Sequence, residues 1–218
     1  MCFSAAASFA AASVAATAGV LTLSSVTRVR EIPLAGAPLI FALQQAIEGA
    51  LWLTLPHAAI SLLALCLANG FVVCAMVVWP LLAPLATSLV EPIRWRRRAI
   101  SWLVPLGVAF ALYSAIDIAA HPYHAVISYK SLCYINNSPY PFYAIFVYFA
   151  ATCGGFLLSS HGALRVFGLI VVAGLLVSAA FFLTALVSVW CFFAAAASAT
   201  LLIYFRRGRL RTRMFGAR

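Results

Sequence analysis

Long apolar runs, separated by short polar or proline-containing breaks, fill the chain from its start to about residue 205. A helix that spans a membrane needs about 20 mainly apolar residues, and the runs divide into segments of about that length. The pattern therefore predicts an all-α fold, a bundle of seven transmembrane helices. The predicted helices cover residues 4–26, 32–55, 58–80, 100–120, 142–159, 166–184 and 189–205.

Two of these boundaries depend on how an overlong run is divided. Pro80 and Pro84 interrupt a run that reaches Val90, so residues 81–90 are either a kinked continuation of the third helix or a helix at the membrane interface. Residues 166–205 contain no charged side chain and are about twice as long as one crossing, which predicts a tight helical hairpin.

Composition supports the same conclusion, because 66% of the residues are hydrophobic and only 8% are charged. A soluble domain has about 25% charged residues, since its surface must face water. The surface of this chain is therefore expected to face a lipid bilayer. The net charge of +10 does not indicate nucleic-acid binding, because the basic residues lie in short clusters between apolar runs and form no recognised motif.

The basic clusters also predict an orientation. With seven helices and the N-terminus outside, thirteen of the 14 basic residues lie on the inner side, and only Lys130, in the polar connection of residues 121–141, lies outside. This distribution follows the positive-inside rule. No basic residue precedes the first apolar run, which is typical of a retained helix rather than a cleaved signal peptide. Residues 1–205 are predicted to form one domain, followed by a basic cytoplasmic tail, residues 206–218.

The second predicted helix contains the most informative polar residues, Gln44, Gln45, Glu48 and Trp52. Gln44, Glu48 and Trp52 are spaced four apart, so they share one helix face, which must point into the bundle. Ionisable groups inside a membrane are usually functional, and these side chains predict a site for a ligand, an ion or a proton. The alternative is a protonated Glu48 whose hydrogen bonds only fix the helix packing.

Asp117 and His121, also four residues apart, lie at the outer end of the fourth predicted helix, and His124 follows. One carboxylate and two imidazoles suit a divalent metal such as Zn²⁺, with a fourth ligand from Glu48 or a cysteine. The spacing is loose and Pro122 ends the helix. The alternative is therefore that both histidines are interfacial loop residues.

Three of the six cysteines, Cys2, Cys133 and Cys191, are predicted on or near the outer side. That side is oxidising in bacteria and in secretory organelles. A Cys2–Cys191 or Cys133–Cys191 disulfide is therefore a hypothesis that stands beside free thiols. The other three cysteines fall within predicted helices and are interpreted as packing residues.

Ser159, Ser160 and His161 place hydroxyl groups beside an imidazole at a predicted helix end. Adjacent side chains point in different directions and no acidic partner is evident, so capping of the helix end is favoured over nucleophilic catalysis. Glu91 and Arg94 are predicted to form a solvated ion pair at the inner interface.

Residue types exclude two classes of seven-helix protein. A retinal protein needs a lysine in its last helix for the Schiff base, whereas the only lysine of this chain is Lys130. The metal hydrolases of the ceramidase and progestin-receptor type carry a histidine pair in their last helix, and the corresponding segment here has no histidine.

Several motifs are spread over the whole chain. They are Met1-Cys2-Phe3-Ser4-Ala5, Gln44-Gln45-x-x-Glu48-Gly49-x-x-Trp52, Trp79-Pro80 with Pro84-Leu85 and Glu91, Ser159-Ser160-His161, and Ser188-Val189-Trp190-Cys191-Phe192-Phe193. Together they resemble a family of uncharacterised bacterial integral membrane proteins that begin with MCFSA. The resemblance implies a seven-helix protein of a bacterial inner membrane, and it implies no activity.

Three functional hypotheses are compatible with these residues. The first is a protein that binds or translocates a small solute, an ion or a proton at Glu48, with the neighbouring amides, Trp52 and Asp117 in support. The second is a metal-dependent membrane enzyme whose metal is held by the Asp117 group at the outer face. The third is a structural role, as a homo-oligomer or as a subunit of a larger membrane complex.

Overall fold

The computed structural model describes residues 4–128, 131–138, 141 and 143–206. About 82% of it is helical, which confirms a predominantly α-helical fold. The described residues form seven helices, and a 3-10 turn at Val29–Glu31 precedes the second. The helices are α1 (Ala5–Leu23), α2 (Ile32–Ala58), α3 (Leu62–Val90), α4 (Arg94–Ala120), α5 (Tyr143–Leu158), α6 (Gly162–Phe181) and α7 (Leu183–Arg206).

Six of these helices are long and apolar enough to cross a membrane, whereas α5 has 16 described residues and is shorter. α2 continues to Ala58, past the predicted end at residue 55, and contains Pro56 within its last turn. A proline at that position removes only one backbone hydrogen bond. Pro56 therefore does not end the helix.

α3 differs from the helix predicted for residues 58–80, since it begins at Leu62 and continues to Val90. Of the two alternatives for residues 81–90, the continuation is the one observed. α4 begins at Arg94 rather than near residue 100. Arginine is a good helix former, so the basic cluster extends the apolar helix although it lies outside the apolar run.

A π-helical segment, Cys74–Val78, lies in α3 just before its prolines. There the N–H of Trp79 donates to the carbonyl oxygen of Cys74, five residues earlier. The Ala75 carbonyl loses its usual donor, because Trp79 is engaged and Pro80 has no N–H. The phenol of Tyr148 on α5 donates to this carbonyl oxygen over 2.9 Å. This hydrogen bond attaches α5 to the break in α3.

The second proline of α3 leaves another carbonyl group without its helical donor. Pro84 has no N–H, so the Pro80 carbonyl oxygen lacks the partner that an α-helix places four residues later. Gly107 of α4 is buried at this point, and a Cβ atom there would overlap the Pro80 oxygen. Glycine therefore allows α4 to approach α3 this closely.

Small residues also bring α1 close to α2. Gly19 of α1 lies against Leu39, and Gly49 of α2 lies against Phe9, each so closely that an added Cβ would force its neighbour to move. α1 is rich in alanine and serine, the composition that helices in close contact share.

The polar connection of residues 121–141 contains a β-hairpin that the sequence did not predict. Strands β1 (His124–Ser128) and β2 (Ser131–Ile135) pair antiparallel, with Val126 opposite Cys133. The usual alternation of buried and exposed residues is missing, because β2 buries three consecutive residues. A strand without that alternation carries no clear sequence signal.

The hairpin covers one end of the bundle. Leu132 is fully buried against α2, and Tyr134 stacks on Phe71 of α3 with ring centroids 4.5 Å apart. The Asn69 side chain on α3 donates to the carbonyl oxygen of Tyr123 over 3.0 Å and accepts from its N–H over 2.9 Å. β2 also contacts α7, so the hairpin joins three helices.

We expect Gly107→Ala to destabilise the protein by about 1–3 kcal/mol, because the added methyl group must push α4 away from the Pro80 carbonyl. Gly36→Ala is the matched control, since nothing lies within 4 Å of an added Cβ there and alanine is the better helix former. The measurement is the midpoint of thermal unfolding in mild detergent. It should fall for Gly107→Ala and hold or rise for Gly36→Ala; equal midpoints would show that α4 does not rest on this carbonyl.

Candidate functional site

Three of the four acidic side chains of the chain are buried. Glu48 is 0% exposed, Glu91 is 2% exposed and Asp117 is 7% exposed. Burying a carboxyl group is costly unless hydrogen bonds, a proton or a cation compensate for the lost water. Each of the three therefore marks a place where the fold provides polar partners, and the partners differ.

Glu48 lies where α2 meets α7. The Ser188 hydroxyl of α7 donates to Glu48 Oε1. The side chain of Gln45, one turn earlier on α2, donates from Nε2 to Glu48 Oε2 over 3.3 Å. All three side chains are fully buried. A carboxyl group, a hydroxyl group and an amide therefore meet inside an otherwise apolar bundle.

The amide oxygen of Gln45 is buried and has no hydrogen-bond partner among the described residues. It belongs to the same amide group whose nitrogen donates to Glu48, so it lies beside the carboxyl group. A buried acceptor without a donor destabilises the fold by about 1–3 kcal/mol. A proton carried by Glu48, a water molecule or a small cation would satisfy this oxygen.

Gln44 has a different role, because both ends of its amide are engaged. Trp79 Nε1 of α3 donates to Gln44 Oε1 over 2.9 Å, and Gln44 Nε2 donates to Cys191 Sγ of α7 over 3.2 Å. The Trp79 ring stacks on Phe41, with centroids 3.8 Å apart. Gln44 therefore links α2 to α3 and α7, and it positions the helix turn that carries the carboxyl group.

Trp52 lies four residues after Glu48 on α2, towards the hairpin. It is half-buried and packs with Leu51 and Leu132. Its indole nitrogen is buried and has no acceptor in the part of the chain that the structure describes. Along α2, Glu48 thus lies between two buried polar atoms without partners, the Gln45 oxygen and the Trp52 nitrogen.

A cavity of about 40 Å³ adjoins the contact between Gln44 and Cys191. Six aromatic side chains line it, and the Tyr148 and Trp190 rings among them meet edge to face with centroids 5.5 Å apart. Its lining is almost entirely apolar, and neither Glu48 nor its partners Gln45 and Ser188 contribute to it.

Asp117, at the C-terminal end of α4, is bonded to other partners. Its Oδ1 atom lies 3.2 Å from His121 Nδ1, and its Oδ2 atom accepts from the Asn136 amide over 3.3 Å. His124 begins β1, and its side chain is exposed. The described residues contain no group of three His, Cys, Asp or Glu side chains placed to hold a metal ion. The structure brings Asp117 and His121 together and leaves His124 apart.

Cys133 and Cys191 are not bonded to each other, although one hypothesis paired them. Both are buried free thiols. Cys133 packs against Ala185 and Val189, whereas Cys191 accepts the hydrogen bond from Gln44. Cys2 lies outside the described residues, so a disulfide that involves it stays a prediction.

Glu91 forms a second polar cluster and does not form the predicted solvated ion pair with Arg94. Its carboxylate accepts from the Ser159 hydroxyl over 3.0 Å, and from the N–H groups of Ser160 and Ile93 over 2.8 and 3.2 Å. α3 ends at the residue before Glu91, and the carboxylate points to the turn between α5 and α6 instead of to solvent.

The Ser159-Ser160-His161 segment connects helix ends, although no side chain caps the start of α6. The Ser159 hydroxyl accepts from the N–H of His161, the residue that precedes α6. His161 Nε2 lies 3.1 Å from the carbonyl oxygen of Val90, the last residue of α3. Arg96 donates to two carbonyl oxygens at the end of α5. The cluster therefore joins the ends of α3, α5 and α6 to the start of α4.

Ser188 is the residue of the Glu48 site that sequence reasoning missed. It lies 140 positions after Glu48, in a stretch without charged residues, so no spacing connects the two. The one signal available was its place at the start of the Ser188–Phe193 motif, which belongs to the set that carried the resemblance.

The sequence model of a family of unknown function (DUF6629) matches residues 1–215 of the chain. No curated protein and no solved structure matches the chain. The family description assigns no activity, so the function has to be argued from the geometry of this chain.

We expect Glu91 to make the stability of the protein fall in acid. Burial raises the pKa of Glu91, but the hydrogen bonds from Ser160, Ile93 and Ser159 outweigh it and hold the pKa below its ordinary value of 4.5. A carboxyl group with a lowered folded-state pKa stabilises the fold above its unfolded pKa, and this contribution is lost as the pH falls through the folded value.

The measurement compares unfolding midpoints of the wild type and Glu91→Gln from neutral pH to well below 4.5, the ordinary pKa of the group. The variant should be less stable at neutral pH, because the amide replaces the charged acceptor. The difference should shrink as the pH falls below that value. A difference that stays constant over the whole range would contradict the assignment.

Proposed function

The chain belongs to this family of unknown function, and because the family supplies no activity, we propose one from the residues of the chain itself. We propose that it is a multi-pass membrane protein that binds a proton, or a small cation in its place, at Glu48. The site takes part in binding or translocating this ion from the outer half of the bundle.

The proposed membrane arrangement has seven crossings, an outer N-terminus and a cytoplasmic C-terminal tail, in a bacterial inner membrane. Six long apolar helices and the shorter α5 support the number of crossings. The one-sided distribution of the basic residues supports the orientation. The resemblance to proteins that begin with MCFSA supports the bacterial inner membrane.

The observation that carries the proposed activity is the buried amide oxygen of Gln45 beside Glu48. When Glu48 is ionised, the Gln45 nitrogen donates to the carboxylate and the amide oxygen has no donor. When the amide turns over, its oxygen faces the carboxyl group, and a protonated Glu48 donates to it. The pair therefore has a hydrogen-bonded arrangement for each charge state.

Ser188 also suits both charge states of Glu48. A hydroxyl group donates to a carboxylate oxygen and accepts from a protonated carboxyl group. Neither exchange requires a helix to move, since only the hydroxyl proton and the amide change orientation.

We expect the carboxyl group of Glu48 to exchange its proton in the folded protein. Infrared difference spectra of the protein in lipid, recorded between about pH 4 and pH 10, should show the band of a protonated carboxyl group appear and disappear. Glu48→Gln should remove this band, because an amide cannot ionise. Ser188→Ala should shift the transition, since it removes a hydroxyl group that is bonded to the carboxyl group.

The matched control is Glu31→Gln, which removes a half-buried carboxyl group in the turn before α2, outside the Glu48 site. This variant should keep the band that Glu48→Gln loses. A Glu48 band that is present at every pH would identify a permanently neutral, structural carboxyl group and overturn the proposal. A wild type without any such band at low pH would overturn it as well.

The topology gives a separate expectation. Asn137→Cys, next to the hairpin, should react in intact cells with a maleimide that cannot cross membranes, because the proposed topology puts it outside. Gly162→Cys, at the start of α6, should react only after the membrane is permeabilised. Both positions are exposed, and nothing lies within 4 Å of an added Cβ at Gly162.

Both variants are made in a chain that lacks Cys2 and the exposed Cys66. That parent chain, without either new cysteine, sets the background of labelling. The reverse labelling pattern would invert the proposed orientation, and labelling of both positions from outside would rule out an odd number of crossings between them.

A further inference from the structure

A basic cavity of about 540 Å³ lies where α3 ends and α4 begins. Its volume falls within the range of ligand pockets, about 300–1,000 Å³. Four arginine and two serine side chains make up its polar lining. They are Arg30, Arg94, Arg97, Arg98, Ser88 and Ser101.

Helix periodicity and the fold together build this lining. One face of the first turns of α4 begins with Arg94. Arg97, Arg98 and Ser101 follow it by three, four and seven positions, so they lie on the same face. Arg30 adds a fourth guanidinium group from the turn before α2. The sequence separates this arginine from the others by the length of two helices, so the convergence is a property of the fold.

The nearby carboxylates do not neutralise these arginines. None of the residues that line the cavity is acidic. Glu31 accepts from the N–H groups of Thr27 and Arg28, and Glu91 is buried against the start of α6. A concave surface with four guanidinium groups attracts a multiply charged anion, and the planar fork of arginine matches phosphate oxygens.

Apolar groups beside the cavity indicate that this phosphate belongs to a lipid. Trp95 and Trp102 lie on the adjoining face of α4 and are 62% and 73% exposed. The Arg96 guanidinium group lies 4.8 Å from the centre of the Trp95 ring. Exposed tryptophans are typical of the membrane–water interface, so acyl chains have an apolar surface to lie against while the headgroup enters the cavity.

We propose that this cavity binds the phosphate headgroup of an anionic phospholipid, with lipids that carry two phosphates bound most tightly. The inference rests on the membrane embedding proposed above and is independent of the chemistry of Glu48. It agrees with the general behaviour of basic pockets at the inner ends of membrane helices, which bind anionic headgroups.

The test measures the affinity of the full chain in mild detergent for cardiolipin, a lipid with two phosphates, by native mass spectrometry. Arg97→Gln/Arg98→Gln should weaken binding about 25-fold, or about fivefold for each arginine removed. The matched control is Arg165→Gln, which removes one exposed positive charge outside the cavity. It should change the affinity by less than about twofold, because salt screens a distant charge.

Unchanged affinity in the double variant, or an equal loss per charge in Arg165→Gln, would overturn the site.

Inorganic phosphate and pyrophosphate form the second arm of the test. If either anion displaces cardiolipin at equal concentration, the cavity belongs to a soluble anion and the lipid assignment is overturned. If neither displaces it, the lipid assignment is supported. If the double variant does not fold, Arg97→Lys/Arg98→Lys replaces it, since lysine keeps the charge and loses the fork; affinity equal to the wild type would then count against the proposal.

Discussion

Within a bilayer, each backbone N–H and C=O group must find its partner inside the protein, because lipid offers none. The constraint bears most on α3, since its π segment and two prolines deprive the Ala75 and Pro80 carbonyls of helical donors. The Tyr148 phenol donates to the first carbonyl oxygen, and the second lies against Gly107 of α4. The positions of α4 and α5 against α3 follow from these two contacts.

The π segment of α3 also influences where the Glu48 carboxyl group meets its partners. Trp79 follows the π segment directly, and its indole donates to Gln44. Gln44 in turn donates to Cys191, which lies three residues after Ser188 and therefore on the same side of α7. The contact between Gln44 and Cys191 thus fixes the position along the two helix axes at which Ser188 meets Glu48. The Glu48 site therefore depends on α3, although α3 contributes no side chain to it.

The spanning helices could be predicted from the sequence, because they depend on length and hydropathy. The partners of the buried polar side chains could not, because they depend on contacts between distant segments. Apolar runs of about 20 residues identify spanning helices, but they do not show that α3 passes through two prolines to Val90. Glu48 was recognisable because an ionisable residue interrupts an apolar run. Ser188 was not, since a serine is common in membrane helices. Glu91 looked solvated beside its arginines, whereas its hydroxyl partner follows 68 positions later.

The two buried glutamates differ in a way that assigns them different roles. Glu91 accepts from two backbone N–H groups, which cannot accept in return, so its surroundings suit the ionised form alone. Such a carboxylate fixes the ends of helices. Glu48 instead faces a hydroxyl group and an amide, whose donor and acceptor roles both reverse. Partners of this kind can bond to either charge state of the carboxyl group, which suits the proton binding that we propose for Glu48.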